Sequence, residues 1–436
     1  MPDKPTFARI SLALALTASA VLIGAAVLVD LLAEEISQVW LRFVLVATGC
    51  ALGVVAVAAR RGRLISTLGK ISLLILSTAL ALGIGEFVPR AWGYNFAPRR
   101  EPGPEIPIYY RAPSLHAGEG VFRRPGPASW RGRVLCAFMR SQRWNEAPYA
   151  DEQPIQADYD RLGFRNPTNL LDWEVVVTGD SFVELGHLPY AALFTTLAGK
   201  QSGLRIKNLG VSMTGPISQT FYVKNYGRSA STREAVLCFF EGNDLEDLTR
   251  ELRQTETFRS TGRPWEEVRQ PSLLRALLDR LTRAAAHRTT GTNAASIPPL
   301  ADAPSFGKLP PAWEGTSPAR RASLLQALKD WNAATRSLGL RPWVMYLPDG
   351  QRVFHGLDRH ALPGQPQHLQ APGDFAGGLG ATCTNLGVRF INAYPALRQA
   401  AEAGQVPYNR IGDGHFNRTG SRIVATVLTE ALPSGR

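Results

Sequence analysis

Four short blocks hold side chains that could do acyl chemistry: Gly179-Asp180-Ser181-Phe182, Asn208-Leu209-Gly210, Glu241-Gly242-Asn243-Asp244 and Asp413-Gly414-His415-Phe416-Asn417. A serine hydroxyl is a weak nucleophile until a neighbouring base takes its proton. His415 is the candidate base for Ser181, and Asp413 can hold its ring tautomer and stabilise the imidazolium. Attack on an ester carbonyl also builds negative charge on oxygen, which needs positioned donors. The candidates are the Ser181 N–H, the Gly210 N–H and the Asn243 side-chain amide. Glycine at 210 would let backbone approach a substrate without a Cβ. Each block alone reads equally well as a cap or a turn; the ordered set carries the signal.

These residues need a frame, and the sequence supplies one. Short β-branched or apolar runs at Val175–Val177, Ile206–Leu209, Ala235–Phe240, Pro342–Leu347 and Val388–Ile391 read as five strands. Helical patterns fall between and after them, at Tyr190–Gln201, Ile217–Tyr226, Ala319–Leu338 and Thr419–Leu432. The βαβα rhythm predicts an α/β fold, a doubly wound five-stranded parallel sheet between helices on both faces. Ligands of such sheets bind beyond the carboxyl ends of the strands, where the first three blocks fall.

The four blocks resemble those of the SGNH (GDSL-type) hydrolase superfamily, with Ser181, Gly210, Asn243 and His415 matching its signature residues in order. The resemblance covers about residues 172–432. It implies a flavodoxin-like α/β/α sandwich, a serine acyl-enzyme and no metal or other cofactor. Two spacings depart from the family pattern. Gly242 directly precedes Asn243, where the glycine usually stands two residues before. Asp413 stands two residues before His415 rather than three. That tighter spacing is similar to bacterial polysaccharide O-acetyltransferases of the alginate type, although there it precedes the serine.

The chain of 436 residues has three parts on this reading. Residues 1–92 form a membrane anchor. Ile10–Val29 is an uncharged run long enough to cross a hydrocarbon core of about 30 Å at about 1.5 Å per residue. Phe43–Ala59 is a second run and Ile71–Gly85 a shorter third. Arg60, Arg61, Arg63 and Lys70 lie between the second and third, which places that loop in the cytoplasm and the chain beyond about Arg90 outside it. A third run lying only on the surface would reverse that orientation. Residues 93–171, rich in Pro and Arg, form a juxtamembrane connector with short strands. Residues 172–436 form the catalytic domain, with an insertion at about 251–318 that includes a basic helical stretch, Ser272–His287, and a loop, Arg288–Ala303.

A formal charge of +12 invites a nucleic-acid reading, but no basic-aromatic stripe gathers the arginines, so no nucleic-acid partner is expected. A surface facing anionic head groups or acidic glycans fits better. Cys50 and Cys238 read as packing thiols; Cys136 and Cys383 could pair in an oxidising compartment. His187 is expected at a surface helix start. His355, His360 and His368 lack a completing ligand set and are expected to be solvated.

The function expected is a multi-pass esterase of a bacterial inner membrane. Its catalytic domain would face the periplasm or cell exterior and remove short acyl groups, acetyl foremost, from an envelope glycan or glycolipid. The same acyl-enzyme in an O-acyltransferase, fed by a membrane acyl-donor partner, is the alternative; a glycan-binding scaffold without catalysis is the second.

Overall fold

A hydroxyl at a strand end is only as well placed as its sheet, and the sheet here is buried on both sides. In the computed structural model the described residues are 113, 115–132, 155–264, 312–357, 373–409 and 414–433. The strands are β1 (Leu115–Gly118), β2 (Val121–Arg123), β3 (Ala128–Gly132), β4 (Ile155–Tyr159), β5 (Val175–Gly179), β6 (Ile206–Gly210), β7 (Glu234–Phe240), β8 (Arg341–Leu347) and β9 (Arg389–Asn392). The last five form one sheet in the order β6-β5-β7-β8-β9, with every pairing parallel. This is the 2-1-3-4-5 order of doubly wound sheets, whose crevice lies at the carboxyl ends of the strands.

Side-chain alternation explains why these runs can only be central strands. Val175, Val177, Val236, Cys238, Phe240, Met345 and Leu347 enter one apolar cluster. Their neighbours Val176, Ala235, Leu237, Phe239, Val344 and Tyr346 enter the other. The first face is covered by α1 (Ser181–Glu184), α2 (Phe194–Ser202), α6 (Gly350–Phe354), α8 (Tyr394–Glu402) and α9 (Arg418–Ala431). The second is covered by α3 (Pro216–Tyr226), α4 (Asp244–Thr261), α5 (Pro318–Ser337) and α7 (Ala376–Asn385). Trp331 of α5, fully buried, is among the largest side chains of the second core.

The five expected strands are present, with ends shifted by a residue or two. Other expectations change. The stretch Tyr190–Gln201 is a 3-10 turn, Tyr190–Ala192, followed by α2. Across the expected start of the insertion at about 251, α4 runs unbroken to Thr261. Leu245, Leu248 and Glu251 hold its first half against the domain, and Gly262 ends it in the left-handed conformation at φ +67°.

The connector is also more than a link. Hairpin β1–β2 and pair β3–β4 are antiparallel, and Val121 and Phe164 enter the second core. Both pairs belong to the same compact unit as the sheet, Arg100–Arg269 with Ala294–Arg436. No helix among the described residues is long and apolar enough to cross a membrane. The three apolar runs before Arg90 lie outside those residues, as do Cys50, Cys136, His360, His368 and the stretch Ser272–Ala303.

Candidate active site

Ser181 owes its position to one turn of helix. β5 ends at Gly179, and Asp180 leaves the strand to cap α1, its Oδ1 accepting the Phe182 N–H at 2.8 Å. Leu185 stops the helix in the left-handed region at φ +40°. Ser181 is thus the first helical residue, where N–H groups have no intrahelical acceptor. Its side chain is partly buried at the rim of the sheet.

His415 arrives from 234 residues further on, and its Nε2 lies 2.7 Å from Ser181 Oγ. Its ring is stacked aslant against Phe182, centroids 4.9 Å apart, and Phe182 in turn lies on Phe240 at 3.7 Å. The histidine loop is anchored beside the ring. Asn409 N–H donates to the His415 carbonyl at 2.8 Å, Tyr408 and Phe416 form an antiparallel bridge, and Asn417 caps α9. Asp413, the expected orienting carboxylate, lies outside the described residues.

His187 departs from its expected surface position. It is buried, with its ring centroid 5.8 Å from that of His415. Its Nε2 is 2.8 Å from the Phe416 carbonyl. The same nitrogen lies 3.1 Å from Asn409 Nδ2, so in either tautomer His187 ties the nucleophile segment to the histidine loop.

Gly210 sits directly beside the nucleophile, paired with Gly179 across β5 and β6. A Cβ there would fall 2.4 Å from Glu184 N and 2.6 Å from Val183 C. The missing side chain therefore lets α1 pack onto β6. The Gly210 N–H is already donated to Asn208 Oδ1 at 2.8 Å. Three residues on, Met213 stands half exposed at φ +63°, a conformation uncommon for a side-chain-bearing residue.

Asn243 caps α4, with Nδ2 donating to Asp247 Oδ2 at 3.0 Å and Oδ1 buried without a hydrogen-bond partner. Behind it stand Asp180, Asp244 and Asp247, whose carboxylate oxygens lie within 4.8 Å of one another. Among the described residues these are the side chains grouped closely enough to hold a cation. Burial pushes Asp180 up to about 6, with Asp247 adding to the rise and His415 opposing it. Burial likewise raises Asp244 and Asp247. Like charges in a dry site favour retained protons, which accounts for the cluster through shared protons. The Phe240 N–H also donates to Asp244 Oδ2 at 2.8 Å. His355 ends α6, where its carbonyl accepts from Arg398.

The class defined by these features is an α/β sandwich with a serine–histidine pair at the carboxyl ends of its strands. In sheet order the chain is a flavodoxin-like α/β/α sandwich. No protein-family model matches the chain, and no curated protein matches it. Solved structures do. One is a lipolytic protein of the G-D-S-L family from Veillonella parvula, 13% identical, aligned over 59% of this chain and 97% of its own, with a TM-score of 0.32. An extracellular lipase from Streptomyces rimosus is 13% identical over 60% of this chain and 100% of its own, with a TM-score of 0.30. A carbohydrate esterase family 2 enzyme with a carbohydrate-binding domain, from Corynascus thermopiles, is 12% identical over 62% of this chain and 68% of its own, at 0.31. Overlaps this loose carry no function across, and the chemistry rests on the site itself.

Proposed function

We propose that the chain is a membrane-anchored serine esterase of SGNH type that removes short acyl groups from an envelope glycan or glycolipid. The observation that carries the chemistry is the 2.7 Å contact between Ser181 Oγ and His415 Nε2, within reach for direct proton transfer. Ser181 attacks the ester carbonyl while His415 takes the hydroxyl proton. The tetrahedral oxyanion is held by the Ser181 N–H and the Asn243 amide, which must turn one N–H from its carboxylate partners. Gly210 is left with a packing role. Collapse expels the sugar hydroxyl with the proton from His415, and a water activated by His415 then releases the acid from the acyl-enzyme. Asp413 is assigned to hold the His415 ring.

Anchoring is proposed from the three apolar runs before Arg90. The basic loop Arg60–Lys70 supports placing the catalytic domain outside the cytoplasm, where envelope glycans are met. The Asp413-Gly414-His415 spacing favours a second reading, transfer of the acyl group to a sugar hydroxyl instead of water, with a membrane partner supplying the acyl group. Both readings share the acyl-enzyme.

The test uses the purified full-length chain with p-nitrophenyl acetate and a fluorophosphonate probe, beside Ser181→Ala and His415→Ala. Turnover and labelling that disappear in both variants support the acyl-enzyme. Labelling that survives Ser181→Ala sinks this assignment of the nucleophile. Acetylated sugar accumulating when glycan is added would select the transferase.

A further inference from the structure

One buried carboxylate joins the nucleophile turn to the loop that follows β6, and the connector holds it. Glu184 closes α1 three residues after Ser181 and is fully buried. Its Oε2 accepts the Ser212 N–H at 2.5 Å and the Ser212 hydroxyl at 2.7 Å. On its other side the Tyr159 hydroxyl donates to Oε1 at 2.6 Å. Arg124 grips both oxygens, Nε to Oε1 at 2.5 Å and Nη2 to Oε2 at 2.9 Å. Arg124 follows β2 and Tyr159 ends β4, and both are buried. Burial alone would raise the Glu184 pKa, but Arg124, with Tyr159 and Ser212, holds it below its usual value. The carboxylate is therefore a charged, five-times hydrogen-bonded hub.

The loop beyond Ser212 needs such a hub. Met213 is in the left-handed region, and strained residues persist only where their surroundings over-determine them. Arg250 Nη2 donates to the Met213 carbonyl at 2.7 Å, and Glu251 accepts the Gly215 N–H at 2.8 Å. Glu184 fixes the other end, at Ser212. A buried ion pair is a poor source of stability, since an apolar pair of equal volume folds about as well. What a forked guanidinium on a carboxylate adds is direction.

We propose that Arg124 and Tyr159 are positioning residues of the Ser181 site. Through Glu184 they fix the nucleophile turn and the Val211–Gly215 loop against each other, which makes the connector a part of the catalytic unit. The proposal rests on the reading of Ser181 as nucleophile, and on it the connector strands cannot be removed without loosening that turn.

The experiment compares the full-length chain with Tyr159→Phe and Arg124→Lys, and with Ser129→Ala, an exposed position on the same connector. Steady-state ester hydrolysis is read together with amide hydrogen exchange in peptides covering 181–188 and 210–216. The expected result is a fall in kcat of about tenfold with KM little changed, in proportion to lost positioning. Exchange should rise in those two peptides and not in β7 or β8, while Ser129→Ala behaves as the parent. Unchanged kcat and exchange would overturn the proposal. So would exchange that rises evenly through the sheet, the mark of plain destabilisation. If the parent chain neither labels with fluorophosphonate nor turns over, the esterase reading falls, and the exchange pattern alone still decides whether Arg124 and Tyr159 lock the two segments.

Discussion

Replacing Glu251 by glutamine should change the pH dependence of stability in a direction set by its burial. Glu251 lies on α4 with 2% of its surface exposed. Its Oε1 accepts N–H groups from Gly215 at 2.8 Å and Ser218 at 3.3 Å, and its Oε2 one from Ile217 at 3.0 Å. It therefore serves the open first turn of α3. Burial pushes its pKa from 4.5 up to about 6, the hydrogen bonds to Ser218, Gly215 and Ile217 opposing the rise. A folded-state pKa above the unfolded one means that the native chain binds more protons between those values. Stability from this group is thus complete below about pH 4.5 and lost as pH rises through 6. A shift of about 1.5 units is worth about 2 kcal/mol. Glu251→Gln cannot titrate, so its stability relative to the parent should be about 2 kcal/mol better at pH 8 than at pH 4. Urea unfolding followed by tryptophan fluorescence, with Trp331 buried as the reporter, measures both chains at both pH values. At a slope of about 2–3 kcal/mol/M the relative midpoint should move by roughly 0.7–1 M. A difference between the chains that stays flat with pH, or reverses, would refute the raised Glu251 pKa.

Other outcomes follow from the same geometry. Asp180→Asn keeps an acceptor for the Phe182 N–H while removing a charge that burial disfavours, so it should stabilise the fold at pH 8 and lose that advantage at pH 4, in the same urea assay. Gly210→Ala forces a methyl group into the backbone of α1. It should cost about 1–3 kcal/mol and lower kcat by displacing Ser181, whereas retained stability with normal turnover would show that α1 can move aside. Asn243→Ala should lower kcat by about a hundredfold or more if its amide holds the oxyanion, read in p-nitrophenyl acetate turnover with folding checked by circular dichroism.

The strands were legible because a central parallel strand must be apolar on both faces, and Ala235–Phe240 satisfies that without help. Ser181 was legible for a related reason: a strand ending in Gly179-Asp180-Ser181 leaves the hydroxyl at the rim. What could not be read was anything set by partners far apart in the chain. Glu184 looks like an ordinary helix residue until Arg124 and Tyr159 are folded around it. His187 looks like a surface histidine because its partner, the Phe416 carbonyl, lies 229 residues away. The crowding at Gly210 could not be read either, since it comes from Val183 and Glu184 and the sequence shows no such contact. The charged second half of α4 lacks an apolar stripe and so resembled the start of an insertion, although its first half anchors the helix.

Preorganisation of the base follows from how the histidine loop is tied. Ser181 rides on β5, but His415 belongs to no strand, and a loop left to itself would spend most of its time away from the hydroxyl. Four constraints oppose that. The Asn409 N–H holds the His415 carbonyl, and His187 holds the next carbonyl, that of Phe416. Asn417 Nδ2 donates to the carbonyls of Val406 and Tyr408. The Phe416 ring is fully buried, edge-on to Phe182 at 5.0 Å. All four act on backbone or on the neighbouring side chain, so the imidazole itself stays partly accessible with its Nε2 at the hydroxyl. His187 should then behave as a support and not as a second base. His187→Gln, whose amide can still donate to the Phe416 carbonyl, should keep most of kcat, and His187→Leu should lose it with the pH profile of the residual activity unshifted. A profile that moves in His187→Gln would mean that His187 titrates in the reaction, and the support role would be wrong.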